Sequence, residues 1–316
     1  LVSLKKLNLK GCSSLKSISP SLEHLPSSLE ELHLSGCKSL QDVKQISSSF
    51  QDRLPNLRAL NLSGTPVNFI SLRNHSRLET LVLDSNEDLD VLHLSGTPIQ
   101  KFPLKGYSEF KGLSRLDVLG VKHLCKVNWE RINRLPQEVN WDQCGDGSMS
   151  HMHTPLAEWR RNGNGHGVFI YVGNANIFTT LSQSHSWIKG RFFVYAQFLS
   201  LHDEKIIVQL SDLGIGNMGE LRECWIEGCQ AMKVAFDTGA HDLAQCQPVL
   251  RRLEKLKISE LMKLTNICIG SGILKEGSFG SLKHLQLEYC PQVVTIFSSA
   301  VRLESLEVLE LNFVPD

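Results

Sequence analysis

The sequence predicts an α/β repeat protein. Short parallel strands line the concave sheet of a horseshoe-shaped solenoid, and loops or short helices return along its convex side. Three observations carry this prediction. The pattern Leu-x-x-Leu-x-Leu-x-x-Cys/Thr recurs at Leu4-Leu7-Leu9-Cys12, Leu29-Leu32-Leu34-Cys37, Leu57-Leu60-Leu62-Thr65 and Leu282-Leu285-Leu287-Cys290, the signature of leucine-rich repeats. The first starts, Leu4, Leu29, Leu57 and Leu78, lie 25, 28 and 21 residues apart, within the roughly 20–29 residues of one such coil. Inside each copy the Leu-x-Leu core alternates with period two, so its leucines share one face of a strand and the intervening residues the other. A single coil cannot bury its leucines, whereas stacked coils make one continuous core.

Taken in chain order, residues 1–135 read as N-terminal repeats, with further copies at Leu78-Leu81-Leu83-Asn86, Leu89-Leu92-Leu94-Thr97 and Leu116-Leu119-Val121-Leu124. The copies at Leu78 and Leu89 start only eleven residues apart, too close for a full coil. Either one of them is not a strand or the convex half of a repeat is missing. Residues 136–215 read as irregular. Leu135, Val139, Trp141 and Cys144 resemble a copy with one extra residue, and residues 145–167, rich in Gly, Ser, His and Asn, read as an exposed loop. The β-rich runs Val168–Val172, Phe192–Phe198 and Ile206–Leu210 read as degenerate coils rather than a separate insertion. Residues 216–316 return to the pattern, at Leu221-Cys224-Ile226-Cys229, Leu253-Leu256-Ile258-Leu261 and Leu306-Leu309-Leu311-Val314.

Composition narrows the function classes. Lys+Arg and Asp+Glu both number 33, so overall charge steers the chain toward neither nucleic acid nor an acidic membrane. No apolar run approaches the roughly 18–20 residues of a membrane helix. The chain opens inside a repeat without Met and shows no signal peptide, which suggests a piece of a longer protein. Of the nine cysteines, Cys12, Cys37, Cys229 and Cys290 share one repeat slot. There a small side chain bonds the buried backbone of the turn. Register thus explains them without disulfides and suits a reducing, cytoplasmic location. Two sequons, at Asn61 and Asn74, are short enough to arise by chance.

Several motifs invite chemistry and do not carry it. Gly214-x-Gly216-x-x-Gly219 matches a dinucleotide fingerprint but runs into a repeat strand instead of opening a helix. His151, His153 and His166 lack the companions of a metal motif, and register sends Cys224 and Cys229 inward. No catalytic, cofactor-binding or metal-binding residue is expected, and the chain reads as non-enzymatic.

The Ser-Gly-Cys and Ser-Gly-Thr-Pro turns, the segment Leu116-Asp117-Val118-Leu119-Gly120-Val121-Lys122-His123-Leu124 with Asn140-Trp141-Asp142-Gln143-Cys144, and the run Ser281–Pro291 resemble the repeat region of plant intracellular NLR disease-resistance proteins. The C-terminal part is similar to the coiled-coil class. The resemblance implies a protein-interaction and autoinhibitory module in plant defence. Its partners would be an intramolecular NB-ARC domain and a pathogen effector or guarded host protein. ADP or ATP is implied only for an NB-ARC domain of the parent protein, because this chain carries no P-loop. The alternative is the substrate-recruiting repeat region of an F-box ubiquitin-ligase protein.

Outward strand positions should form the binding surface. They include Lys6 and Lys10 in the first coil, in a locally basic stretch with Lys5 and Lys16. A basic strip there would hold an acidic patch. Toward the C-terminus they are Glu223, Trp225, Glu227, Lys257, Gln286, Glu288 and Glu310. Trp225, between inward Cys224 and Ile226, should present its ring to solvent as an aromatic anchor within a polar rim.

Overall fold

The computed structural model describes residues 3–18, 25–47, 49–100, 112–119, 136–142, 168–173, 193–194, 196–205, 207–214, 218–237, 248–269, 276–297 and 301–313. These belong to two compact units, Leu1–Met149 and Ser150–Asp316. The boundary falls inside the stretch that the sequence sets apart as irregular.

The first unit contains β1 (Lys6–Asn8), β2 (Glu31–His33), β3 (Gln45–Ile46), the single-turn helix α1 (Ser49–Arg53), β4 (Ala59–Asn61), β5 (Phe69–Ser71), β6 (Thr80–Val82), β7 (Val91–His93), β8 (Arg115–Leu119) and β9 (Glu138–Asp142). They make two parallel sheets. One runs β1-β2-β4-β6, and the other contains β3-β5-β7-β8-β9. The consensus leucines stay in register across the first sheet, Leu7 beside Leu32, Leu32 beside Leu60 and Leu60 beside Leu81.

This two-sheet arrangement resolves the eleven-residue spacing. Both copies are strands: Leu81 lies on β6 of the first sheet and Leu92 on β7 of the second. Each coil here is two half-coils of ten or eleven residues. Leu57-Leu60-Leu62-Thr65 is followed by Val67-Ile70-Leu72-His75, then by Leu78-Leu81-Leu83-Asn86 and Leu89-Leu92-Leu94-Thr97, and all of these side chains are buried. The return half of the coil is therefore a strand, where the sequence suggested loops or short helices. Val67-Ile70-Leu72 departs from the Leu-x-x-Leu-x-Leu pattern because only one of its three apolar residues is leucine.

The shared slot works as expected. Cys37 donates its Sγ–H to the Leu9 carbonyl at 3.1 Å, and Thr65 and Thr97 donate to the Leu62 and Leu94 carbonyls at 2.6 and 2.7 Å. Asn86 donates Nδ2–H to the carbonyls of Leu62 and Thr65, both at 2.9 Å. The Leu9, Leu62 and Leu94 carbonyls already accept the backbone N–H three residues on, and the slot side chain uses the second acceptor site of each. Just before the slot the chain adopts a left-handed residue, as at Gly11, Gly36, Gly64 and Gly96, where glycine carries no Cβ penalty.

The second unit contains β10 (Val168–Gly173), β11 (Ala196–His202), a 3₁₀ turn (Leu210–Leu213), β12 (Glu223–Glu227), β13 (Val234–Asp237), β14 (Lys255–Ser259), β15 (Asn266–Ile269), β16 (His284–Glu288) and β17 (Val308–Asn312). Its main sheet runs β10-β11-β12-β14-β16-β17, all parallel, and β13 pairs with β15 on the return side. Glu223 and Val234 are eleven residues apart, and so are Lys255 and Asn266, so the half-coil period persists. Two inward rows build the core: Ile170-Leu199-Cys224-Leu256-Leu285-Leu309 and Val172-Leu201-Ile226-Ile258-Leu287-Leu311.

β10 covers the run Val168–Val172, β11 begins at Ala196 within the run 192–198, and the two strands pair in the same parallel ladder. The run Ile206–Leu210 differs. Leu210 opens the 3₁₀ turn, whose Ser211 hydroxyl accepts from the Asp237 N–H at 2.8 Å and donates to the Asp237 carbonyl at 2.9 Å, docking the turn on β13. The expected loop at 145–167, with His151, His153 and His166, lies outside the described residues.

Stacking order is marked by charge. The residue preceding the strand alternates in sign along β1-β2-β4-β6, as Lys5-Glu30-Arg58-Glu79, and along β12-β14-β16-β17, as Arg222-Glu254-Lys283-Glu307. Lys5 pairs with Glu30 at 3.0 Å, Arg58 with Glu79 at 2.8 Å, and Glu254 with Arg222 and Lys283 at 3.6 and 3.7 Å. Exposed pairs of this kind are each worth at most about 1 kcal/mol, yet a slipped coil would place like charges together.

Candidate interaction surface

On the first sheet of the N-terminal unit the outward rows are Lys6-Glu31-Ala59-Thr80 and Asn8-His33-Asn61-Val82. Lys6 and Lys10 are exposed, as register requires. They do not form a uniform basic strip. The Lys6 ammonium meets Glu31 at 2.6 Å, and Lys5 meets Glu30. The hydrogen bond from Lys6, with another from His33, holds the Glu31 carboxyl below its ordinary range. Lys10, two residues past β1, is exposed, and its N–H bonds Asn8 Oδ1 at 3.1 Å.

In the second unit the outward rows are Phe169-Phe198-Glu223-Lys255-His284-Val308, Tyr171-Ser200-Trp225-Lys257-Gln286-Glu310 and Gly173-His202-Glu227-Ser259-Glu288-Asn312. Register thus places Trp225 on the outer face, but the expectation of an exposed ring fails: Trp225 is only 6% exposed. It lies 5.6 Å from the Phe198 ring, which itself stacks on Phe169 at 4.5 Å. The ammonium groups of Lys255 and Lys257 stand over the indole at 5.4 and 5.2 Å. Glu223, in the row beside it, is buried as well. The physical reason is the aromatic content of β10 and β11. Phe169, Tyr171 and Phe198 occupy outward positions and are all buried, so this end of the outer face is apolar and closed.

The remaining residues form a half-exposed polar group. Lys257 reaches Glu288 at 4.0 Å, and Gln286 donates Nε2–H to Glu288 Oε1 at 3.0 Å. Asn312 donates Nδ2–H to the same oxygen at 3.5 Å, and His284 lies 3.7 Å from Glu310. Glu227 stands apart beside His202, at 3.8 Å. Lys257, Gln286, Glu288 and Glu310 are therefore brought together, while Glu223 and Trp225 lie beneath the surface.

A polar cluster on the second sheet of the N-terminal unit went unforeseen. Arg115 bridges Asp117 at 2.8 Å and Glu138 at 3.3 Å, His93 lies 3.5 Å from Asp117, and Asn140 donates Nδ2–H to both carboxylates. Asp117, Glu138 and Asn140 are buried. Burial lowers the His93 pKa, with Asp117 acting against the shift. The signal was outward polar residues at equivalent positions of successive strands, visible only once β7, β8 and β9 are aligned.

Among the described cysteines, Cys37, Cys224, Cys229, Cys268 and Cys290 are core groups and Cys12 is exposed. Burial pushes the Cys224, Cys229 and Cys268 thiols up to about 12, far from the thiolate needed for metal binding or nucleophilic attack. Gly214, from the apparent dinucleotide motif, caps the 3₁₀ turn in a left-handed conformation, and β12 follows it rather than a helix. Among the described residues no group of three His, Cys, Asp or Glu is placed to hold a metal ion, and no helix is long and apolar enough to cross a membrane.

The coils define a leucine-rich-repeat solenoid, a fold class of protein-interaction scaffolds. More specifically, residues 181–313 match the leucine-rich repeats of the family described as plant disease resistance protein RPS2-like. No curated protein matches the chain. Among solved structures, the functional domain of InlJ from Listeria monocytogenes, which includes a cysteine ladder, aligns at 12% identity with a TM-score of 0.28. That alignment covers 98% of this chain and 67% of the InlJ chain.

Proposed function

We propose that the chain is the repeat module of a plant intracellular immune receptor of the coiled-coil class. In this reading it restrains a nucleotide-switch domain of the NB-ARC type and recognises a pathogen effector or a guarded host protein. The observation that carries the reading is the match of residues 181–313 to repeats of a plant disease-resistance family. The module acts in the cytoplasm, without catalysis and without a cofactor of its own. Any ADP or ATP belongs to the NB-ARC domain.

The partner-facing residues are Lys6 and Lys10 on the first coil, for the NB-ARC side. Glu227, Lys257, Gln286, Glu288 and Glu310 serve recognition. Trp225 and Glu223 act from below, with Trp225 holding the lysines that flank it.

Two measurements test this. Sequencing the full transcript should show NB-ARC motifs in frame with the repeats, whereas an F-box there would transfer the chain to a ubiquitin ligase. In the full receptor, charge reversal at Lys6 and Lys10 should raise resting cell-death signalling. Unchanged resting activity would count against the autoinhibitory role.

A further inference from the structure

Hydrogen-bond donors gather around one side chain, Trp225, on the outer face of the second unit. Alternation along β14 places Lys255 and Lys257 on one side of the strand. The neighbouring β12 presents Trp225 beside Lys257 in register. Both ammonium groups stand over the indole, at 5.4 and 5.2 Å from its centre. The indole is buried, and among the described residues its Nε1–H meets no hydrogen-bond partner. A buried donor without an acceptor is destabilising, and native structures leave few of them. Ser200, also buried, adds a hydroxyl at the register position on the other side of Trp225. β11, β12 and β14 each have a strand on both sides, so the arrangement belongs to the middle of the sheet.

We propose that this group receives one carboxylate of a partner protein, an Asp or Glu side chain presented on a loop; this rests on the recognition role proposed for the same face. The two ammonium heads leave the ring face and take the carboxylate between them. The indole N–H, on the ring that the heads had covered, donates to it from below. A carboxylate has about four acceptor sites on its two oxygens, enough for all three donors at once. Bonds between ionised groups are shorter and stronger than neutral ones, and partly buried charges are screened little by salt. A neutral amide offers one oxygen and no charge, so glutamine should not replace glutamate.

The neighbouring acids leave room for this ligand. Glu288 is the carboxylate that the described residues bring to Lys257, and only at 4.0 Å. It also accepts from Gln286 at 3.0 Å and from Asn312 at 3.5 Å, so it keeps partners when Lys257 turns away. Glu223 faces half-exposed Lys255 in register but lies beneath the surface, which leaves the solvent side of that lysine to an incoming group.

Fluorine NMR of the chain labelled with 5-fluorotryptophan tests this. The sequence holds five tryptophans, and Trp225→Phe assigns the Trp225 resonance by its loss. The probe is the peptide acetyl-Gly-Glu-Gly-Glu-Gly-amide, added to millimolar concentration at constant ionic strength. It should shift the Trp225 resonance saturably. Its glutamine counterpart and inorganic phosphate should leave that resonance in place. Lys257→Met keeps the stem over the ring and removes the ammonium, so it should weaken the peptide roughly tenfold. Lys257→Arg should restore most of the binding. Unmoved resonances of the other tryptophans show that each variant is folded. A Trp225 resonance that the glutamate peptide does not move overturns the proposal. So does an equal response to the glutamine peptide, or a Lys257→Met chain that binds as tightly as the wild type. A stronger response to phosphate overturns it in favour of a phosphate ligand. Membership of an NB-ARC receptor is decided by the upstream sequence, so a negative titration removes this site alone.

Discussion

Replacing Trp225 with alanine should cost stability first. The indole is 6% exposed, packs on Phe198 and carries two ammonium groups at 5.2–5.4 Å. A buried tryptophan removes about 150–250 Å² from water, and truncating such a side chain to alanine costs roughly 3–5 kcal/mol. The two cation–π contacts, each worth about 0.5–1 kcal/mol where partly exposed, lie within that range. For a unit of this size each kcal/mol lowers the midpoint by roughly 2–4 °C, so the expected drop is roughly 6–20 °C. Thermal melts followed by circular dichroism measure it. Trp225→Phe, which keeps the ring contact with Phe198, should lose less than half as much. If Trp225→Ala melts within about 2 °C of the wild type, the ring is not part of the packed structure. The reasoning from its burial is then wrong.

Three further outcomes follow from the turns, the slot and the core. Gly228 has φ 65°, and an added Cβ would run into the Asp203 carboxylate, whereas Gly11, at φ 78°, has nothing within 4 Å. Both alanine variants bear the left-handed penalty of roughly 1–2 kcal/mol, and Gly228→Ala should be the less stable in urea titration by the small cost of swinging the half-exposed Asp203 carboxylate aside. Burial lowers the His75 pKa, so the unfolded chain binds the proton more readily. The stability from neutral His75 is complete above about pH 6.5 and is lost as pH falls through the folded value. His75→Asn, with the residue found at Asn86, should flatten the fall in melting temperature between pH 7.5 and 5.5; an unchanged slope would refute this. In the native state, thiol alkylation at pH 8 should label exposed Cys12 well before Cys224, Cys229 and Cys268, as peptide mapping can show. Equal labelling would contradict the buried register.

The sequence by itself determined what local periodicity controls. Leu-x-Leu alternation set which side chains turn inward from Leu7 to Leu311, and the shared slot explained Cys37, Thr65 and Asn86 through the carbonyls they bond. It even contained the half-coil, in the eleven residues between Leu78 and Leu89. That spacing stood alone against a one-strand coil because the equivalent half-coil between Leu57 and Leu78, Val67-Ile70-Leu72, is poor in leucine. Only the tertiary structure decided which outward residues remain outside. Period two assigns a face but not its exposure, which depends on neighbours distant in sequence. Trp225 is covered partly because Phe198 precedes it in the sheet and Lys255 and Lys257 follow it. The Arg115-Asp117-Glu138-Asn140 cluster likewise exists only because β8 and β9 align. Twenty-three residues separate Asp117 from Asn140 along the chain, and no local pattern reports a contact whose partners meet only when the coils stack.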